Sequence, residues 1–216
     1  MQRSTDLRFL KKILTDTEMT QVRGCEDPDA LLWSIWACKE AAYKVLKKRA
    51  GDAAFIPRRW SVCFRPPLPV AGGQGIKQTD SFPEDRTPAG FFTGNVITDE
   101  KNIFPFRLFS SPSWIHSLAA DSFEILHKAA WRIETLPDEQ SQQKVDPSSF
   151  GRSCLIRDLS EFLRVDQHQI EIRRPSQCES ELQPPAVYLQ GVRAAGVDIS
   201  LSHDGRFVSY AFVPLS

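Results

Sequence analysis

The 216-residue chain carries 27 Lys and Arg against 27 Asp and Glu, so it has no net charge to attract nucleic acid, and no nucleic-acid partner is expected. It contains no apolar run long enough to cross a bilayer and no apolar signal segment at its N-terminus, so no membrane partner is expected either. Its five cysteines are odd in number and form no C-x-x-C motif, which is typical of reduced thiols in a cytoplasmic protein.

Two short helices are predicted at the N-terminus. Residues 4–14 place leucines at helical spacing. Thr15 and Glu18 have the spacing of a capping box, in which each side chain binds the backbone amide of the other residue. They predict a second helix that ends near Gly24.

A long helix is predicted over residues 28–50. Asp27 is suited to its N-cap, and Pro28 fits the first turn because no partner is needed there for the missing N–H. The three basic residues 47–49 suit the negative end of the helix dipole. Gly51 is expected to adopt the left-handed conformation that ends many helices.

The two faces of this helix differ. Trp36, Glu40 and Lys44 lie four residues apart on one face. Glu40 and Lys44 are interpreted either as an exposed ion pair or as site residues. The other face is an apolar stripe expected to pack against a core, and it consists of Leu31, Ile35, Cys38, Ala42 and Val45.

The remainder of the chain is predicted to be mostly strands. A loop rich in Pro and Gly is expected at 65–90, and a polar linker at 136–149. A second amphipathic helix is predicted over 149–163, burying Cys154, Leu155, Leu159, Phe162 and Leu163. The predicted strands are 58–64, 91–98, 104–109, 114–120, 123–133, 170–173 and 187–190, with a C-terminal hairpin of 198–203 and 206–213 that turns at Asp204-Gly205.

The order of elements indicates a weak internal repeat. A long helix is followed by strands and by a short segment with Ser and His, once in each half of the chain. We therefore expect an α+β fold in which a single unit, 1–216, has two pseudo-equivalent lobes, 1–137 and 138–216. Each lobe would pack a long helix on a mainly antiparallel sheet, and His116 would be the counterpart of His203.

Three segments resemble motifs of the 4′-phosphopantetheinyl transferase superfamily. Residues 36–44, Trp-Ala-Cys-Lys-Glu-Ala-Ala-Tyr-Lys, match W-x-x-K-E-A-x-x-K, and residues 200–203, Ser-Leu-Ser-His, match S-x-S-H. Residues 8–18 match R-F-L-x-x-I-L-T-x-x-E. The resemblance implies the fold of that superfamily. It also implies Mg²⁺-dependent transfer of the 4′-phosphopantetheine arm of coenzyme A to a serine of an acyl, polyketide or peptidyl carrier protein, with release of 3′,5′-ADP.

The same resemblance implies roles for individual residues. Glu40 would ligate Mg²⁺ and help to activate the serine, and Lys44 would contact a phosphate of coenzyme A. Ser202 and His203 would hold its phosphates, with coenzyme A clamped between the two lobes of a monomer. A basic cluster is interpreted with equal weight as a contact for the 3′-phosphate or an acidic carrier protein, or as a solvated helix end; it comprises Lys47, Lys48, Arg58 and Arg59.

The sequence departs from the family in one respect. The family has a G-x-D segment ahead of the R-F-L stretch, and its aspartate is a second metal ligand, but no such segment precedes Arg8. Residues 196–198, Gly-Val-Asp, match the G-x-D pattern, but they lead directly into the S-x-S-H strand and are interpreted as part of it. Three explanations stay open: a start placed too far downstream, a shortened chain, or a catalytically impaired homologue that acts as a coenzyme A or carrier-protein binding module.

Overall fold

The computed structural model describes residues 3–65, 90–137, 145–175 and 183–215. The chain forms two compact units, Met1–Leu126 and His127–Ser216, which are named the first and the second unit. Most of the predicted 65–90 loop, with its Gly-Gly-Gln-Gly segment, lies outside the described residues, as does the middle of the 136–149 linker. The described residues form a mixed fold of α-helices and antiparallel sheets, compatible with the predicted α+β class.

The helices and strands alternate in blocks along the chain. In chain order they are α1 (Leu7–Ile13), α2 (Asp16–Gly24), α3 (Pro28–Arg49), β1 (Ser61–Phe64), β2 (Gly90–Ile97), β3 (Ile103–Ser110), β4 (Ile115–Ala119), α4 (Phe123–Lys128), β5 (Ala130–Thr135), α5 (Pro147–Leu163), β6 (Ile170–Arg173), β7 (Ala186–Leu189), β8 (Val192–Arg193), β9 (Val197–Asp204) and β10 (Phe207–Pro214). Two 3-10 turns, Pro57–Arg59 and Gln167–Gln169, precede β1 and β6. None of the helices in the described ranges is long and apolar enough to span a membrane.

Side-chain caps begin the first three helices. The Asp6 carboxylate accepts from the amides of Arg8 and Phe9, so α1 begins at Leu7, later than predicted. The predicted capping box of α2 is confirmed, because Thr15 Oγ1 accepts from the Glu18 amide while Glu18 accepts from the Thr15 amide.

The long helix α3 has nearly the predicted bounds. The Asp27 carboxylate accepts from the Ala30 amide at 3.0 Å, and Pro28 occupies the first turn. The prediction that Gly51 adopts the left-handed conformation is wrong. The helix is capped by Ala50 in an extended conformation with φ −128°, and Gly51 does not have a positive φ. The Lys47 ammonium donates to the Gly51 carbonyl instead, so a side chain satisfies a backbone acceptor just beyond the helix end.

The sheet of the first unit is an antiparallel meander in the order β1-β2-β3-β4, with α3 packed against it. Gly94 on β2 lies between Phe64 on β1 and Phe106 on β3. Those two rings meet edge to face over the glycine, with their centroids 5.5 Å apart. The core of the unit is apolar and includes Leu10, Ile13, Val22, Leu32, Ile35, Cys38, Ala42, Trp60, Val96, Phe104, Phe106 and Leu108.

The described part of the second unit forms two three-stranded antiparallel sheets, β5-β10-β9 and β6-β7-β8. Helix α5 packs on both and begins at Asp146, whose carboxylate accepts from the Ser149 amide at 2.8 Å. The predicted burial of Phe162 is wrong, since its side chain is 47% exposed and its ring meets Phe212 at the edge of the core. The buried residues of this core are Cys154, Leu155, Leu159, Ile170, Ile172, Val187, Val197, Ile199, Tyr210 and Phe212.

A buried polar network joins α5 to its sheet. The Tyr210 hydroxyl donates to Asp158 Oδ2 at 2.7 Å, and the guanidinium groups of Arg132 and Arg157 lie 2.7 and 3.0 Å from the same carboxylate. Burial, followed by the hydrogen bond to Asp158 and the charge of that carboxylate, raises the pKa of Tyr210 well above its usual range, so the phenol keeps its proton and acts as a donor.

The predicted strand at 123–133 is wrong. Its first half is the helix α4, because Ser122 Oγ accepts from the Ile125 amide at 3.2 Å and Leu126 is buried one turn after Phe123. Its second half is β5, which pairs with β10. A short apolar run does not distinguish a helix from a strand by periodicity, and in this segment the serine cap decides.

The C-terminal hairpin turn lies one residue later than predicted, and a further hairpin follows the strand predicted at 187–190. Asp204 pairs with Phe207, so the turn is Gly205-Arg206, with Gly205 at φ +53° as a type II′ turn requires. The strand predicted at 187–190 ends at Leu189, and Gln190-Gly191, at φ +51° and +81°, turn into the short strand β8, which the sequence interpretation missed.

We predict that Gly94→Ala destabilises the first unit. A Cβ at this position would overlap the Cys63 carbonyl oxygen and lie 2.6 Å from Phe106 Cζ. Overpacking of this kind costs about 1–3 kcal/mol of unfolding free energy, measurable by urea denaturation. The matched control is Gly51→Ala, where a Cβ meets nothing within 4 Å and the change should stay below about 0.5 kcal/mol. Equal effects of the two substitutions would contradict the close contact at Gly94.

Candidate functional site

Glu40 and Lys44 lie one turn apart on α3, where Glu40 is exposed and Lys44 is half-buried. Burial lowers the pKa of Lys44, the Glu40 charge acts in the opposite direction, and Lys48 lowers it further. The structure therefore brings these two predicted site residues together as an interacting pair. A partly desolvated ammonium attracts an anion more strongly than one in bulk water, which suits Lys44 to a phosphate.

Trp36, the first letter of the helix motif, packs in an aromatic cluster. Its ring centroid lies 5.6 Å from that of Phe55, which stacks on Tyr43 at 4.8 Å and meets Trp60 edge to face at 5.4 Å. Trp60 is 2% exposed. Trp36 thus anchors the segment after α3 to the helix, one turn before Glu40.

Lys39, the residue before Glu40, is fully buried. Its ammonium donates to Glu18 Oε2 at 2.5 Å, to the Ile13 carbonyl at 2.9 Å and to the Pro57 carbonyl at 3.0 Å. Glu18 also accepts from the Val62 amide at 2.9 Å. The sequence analysis assigned no role to this pair. Lys39 and Glu18 are, however, both specified residues of the family motifs, one in the W-x-x-K-E-A-x-x-K segment and one in the R-F-L-x-x-I-L-T-x-x-E segment, and this could have indicated that the two residues matter.

Burial dominates the electrostatics of Lys39 and of its neighbour Cys38. It lowers the pKa of Lys39, while the Glu18 carboxylate raises it. It raises the pKa of the Cys38 thiol to about 12, so this thiol is protonated at neutral pH, with its sulfur 3.6 Å from Ser117 Oγ. The four described cysteines are free thiols.

His116 lies on β4, where the charge of Lys44 acts on it. Its neighbour Ser117 contacts Cys38 on α3, and because successive residues of a strand alternate, His116 points to the opposite face, as does Phe109, with which it pairs. Its Nε2 atom is buried. Burial, followed by the charge of Lys44, lowers the pKa of His116 to about 3, so the imidazole is neutral at physiological pH.

Ser202 and His203 lie in the second unit, at the exposed end of β9. His203 pairs with Val208, and Val208 Cβ lies 3.7 Å from the position of a Cβ on Gly151 of α5. His203 is therefore on the α5 face of its sheet. Ser202 pairs with Ser209 and is on the opposite face, because successive residues of a strand alternate.

The basic cluster at the end of α3 is partly neutralised by acidic side chains. Arg59 forms an ion pair with Asp99 at 3.6 Å. Arg49, the basic residue next to the cluster, pairs with Asp121 at 3.2 Å. Both pairs are exposed and contribute little to stability.

The single carboxylate of Glu40 suits a metal ion that takes its other ligands from the substrate and from water. In the described ranges, no group of three or more His, Cys, Asp or Glu is arranged to hold a metal ion. Mg²⁺ is commonly held by one or two carboxylates together with phosphate oxygens and waters. An exposed carboxylate beside a partly desolvated lysine matches that pattern.

We predict that His116 makes the chain less stable as the pH falls. The imidazole takes up a proton near pH 6.5 in the unfolded chain but near pH 3 in the folded one, so between these values the unfolded state binds more protons. The unfolding free energy should fall by about 1.4 kcal/mol per pH unit below 6.5. Urea denaturation at pH 6.5 and 5.0 measures the slope, and His116→Gln should reduce it. An NMR titration of the His116 ring that moves above pH 5 would contradict the prediction.

A sequence model of the 4′-phosphopantetheinyl transferase superfamily matches residues 1–83. The match includes the R-F-L-x-x-I-L-T-x-x-E and W-x-x-K-E-A-x-x-K segments, and the S-x-S-H strand lies outside it. No curated protein and no solved structure matches the chain. The predicted resemblance is confirmed for this segment: over residues 1–83 the chain is similar to the 4′-phosphopantetheinyl transferase superfamily.

Proposed function

We propose that this chain transfers the 4′-phosphopantetheine arm of coenzyme A to a serine of an acyl, polyketide or peptidyl carrier protein. Support comes from one face of α3, where Glu40 lies beside a partly desolvated Lys44 within the segment that matches the superfamily. In this reaction the serine oxygen forms a bond to the phosphorus that bears the pantetheine arm. The bond from that phosphorus to the bridging oxygen breaks, and 3′,5′-ADP leaves with the electron pair.

Lys44 is proposed to bind the pyrophosphate. Phosphoryl transfer depends mainly on positioning and on the neutralisation of charge that develops on the phosphate oxygens. A lysine held in a desolvated position meets this need without the cost of ordering a mobile side chain. The local basic residues Lys47 and Lys48 extend the positive charge along the same end of the helix.

Glu40 is proposed to hold Mg²⁺ and to receive the serine proton, directly or through one water. Bound Mg²⁺ would supply charge neutralisation at the pyrophosphate. The exposed position of the carboxylate leaves room for both a metal and an incoming hydroxyl. Neutral His116, on the neighbouring strand, adds no positive charge of its own to this region.

The first experiment measures transfer directly. The chain is incubated with coenzyme A, Mg²⁺ and a panel of apo carrier proteins, and mass spectrometry detects the added phosphopantetheine group. Glu40→Gln and Lys44→Gln should each lower the transfer rate by about 10²-fold or more, because each removes charge stabilisation made in the transition state. The matched control Glu26→Gln replaces an exposed glutamate just ahead of α3 and should leave the rate unchanged.

An absence of mass gain on every carrier would reject the transferase. Calorimetry then distinguishes a binding protein from a chain with neither function. Binding of coenzyme A or of a carrier protein without turnover would indicate a binding module. Binding of neither would reject both functions.

Ser202 and His203 are proposed to contact the phosphates of coenzyme A. Because they face opposite sides of β9, a ligand on one side meets one of them directly and reaches the other only around the exposed end of the strand. We expect His203→Ala and Ser202→Ala to differ by about tenfold or more in the dissociation constant for coenzyme A, measured by calorimetry. The control is Ser200→Ala, on the same face as Ser202 but further from the strand end. Equal, unchanged affinities in all three variants would remove both residues from the site.

A further inference from the structure

We infer that Lys39 and Glu18 are positioning residues for the site on α3, an inference that rests on the proposed function. Their contacts join the end of α1, the N-terminus of α2, α3, the 3-10 turn and β1 at one point. Lys39 uses all three of its N–H donors, and both oxygens of Glu18 accept from other segments. The pair is 0% and 2% exposed, so it touches no substrate.

The pair fixes the rotation of α3 about its own axis. Neighbouring residues on a helix differ in direction by about 100°, so the direction of Lys39 determines that of Glu40. Hydrogen bonds require good angles, whereas apolar contacts are non-directional. Ile35, Cys38 and Ala42 are fully buried on the same inner face, and the three directed bonds of Lys39 add an angular constraint that this apolar packing does not supply.

The same contacts also fix the helix along its axis. The Pro57 carbonyl belongs to the turn that follows Phe55, and Phe55 packs on Trp36 and Tyr43 of α3. A shift of α3 would therefore break the ammonium contact and the aromatic contacts together. Supporting contacts of this kind hold reacting groups to within a fraction of an ångström, and displacement of about 1 Å lowers rates by about 10²-fold.

The test separates positioning from stability by using a double variant. Lys39→Met alone leaves the Glu18 carboxylate buried without its ammonium, and should lower the urea midpoint by about 1–2 M. Lys39→Met with Glu18→Gln leaves no buried charge, and the glutamine still offers an acceptor and a donor, so most of the lost midpoint should return. In this stable double variant, coenzyme A affinity in the presence of Mg²⁺ should still be about 10–100-fold weaker than in the wild type, and the transfer rate should fall with it.

The matched control is Leu32→Ala, a truncation of another fully buried residue on α3. It should lower the urea midpoint yet keep wild-type affinity for coenzyme A, because the contacts of Lys39 remain. A double variant that binds and transfers like the wild type would overturn the positioning role while leaving the transferase intact. Equal losses of affinity in Leu32→Ala and the double variant would also overturn it. A wild-type chain that neither binds coenzyme A nor transfers its arm rejects the proposed function itself, and with it this inference.

Discussion

The first unit depends on one ion pair that water does not reach. Lys39 and Glu18 are fully desolvated, and such a pair is stable only when every remaining donor and acceptor is satisfied. The backbone supplies those partners, two carbonyls for the ammonium and two amides for the carboxylate, from α1, the N-cap of α2, the 3-10 turn and β1. These hydrogen bonds connect the helices, the turn and the first strand to one another, in addition to the contacts of the apolar core.

Two neighbouring residues of the helix motif consequently have different roles, one in the fold and one at the candidate site. Lys39 faces inward and secures α3, whereas Glu40 faces outward and meets Lys44 one turn later.

The two long helices also share a feature that supports their proposed equivalence. Each begins Asp-Pro and buries a charged residue eleven positions after the proline, Lys39 in α3 and Asp158 in α5. In both places the buried charge is surrounded by partners from other elements of its own unit.

Much of the fold could be predicted where local chemistry decided it. The capping box at Thr15 and the Asp-Pro start of α3 were readable because side chain and backbone are close in sequence. The α4 helix and the Gly205 turn were missed because a single cap or register position outweighs an apolar pattern. At the site, the family motifs led to Glu40 and Lys44, but the burial of Lys39 depends on residues far along the chain. Composition gives no sign of it.

The thiol in the middle of α3 has a practical consequence. Cys38 is sealed beneath Ser117 and kept in its unreactive, protonated form, whereas Cys63 is open to solvent on β1. A thiol-directed reagent that modifies Cys63 at once will reach Cys38 only when α3 lifts from its sheet. The rate at which Cys38 itself is modified therefore reports the opening of the first unit, and measures how often the candidate site comes apart.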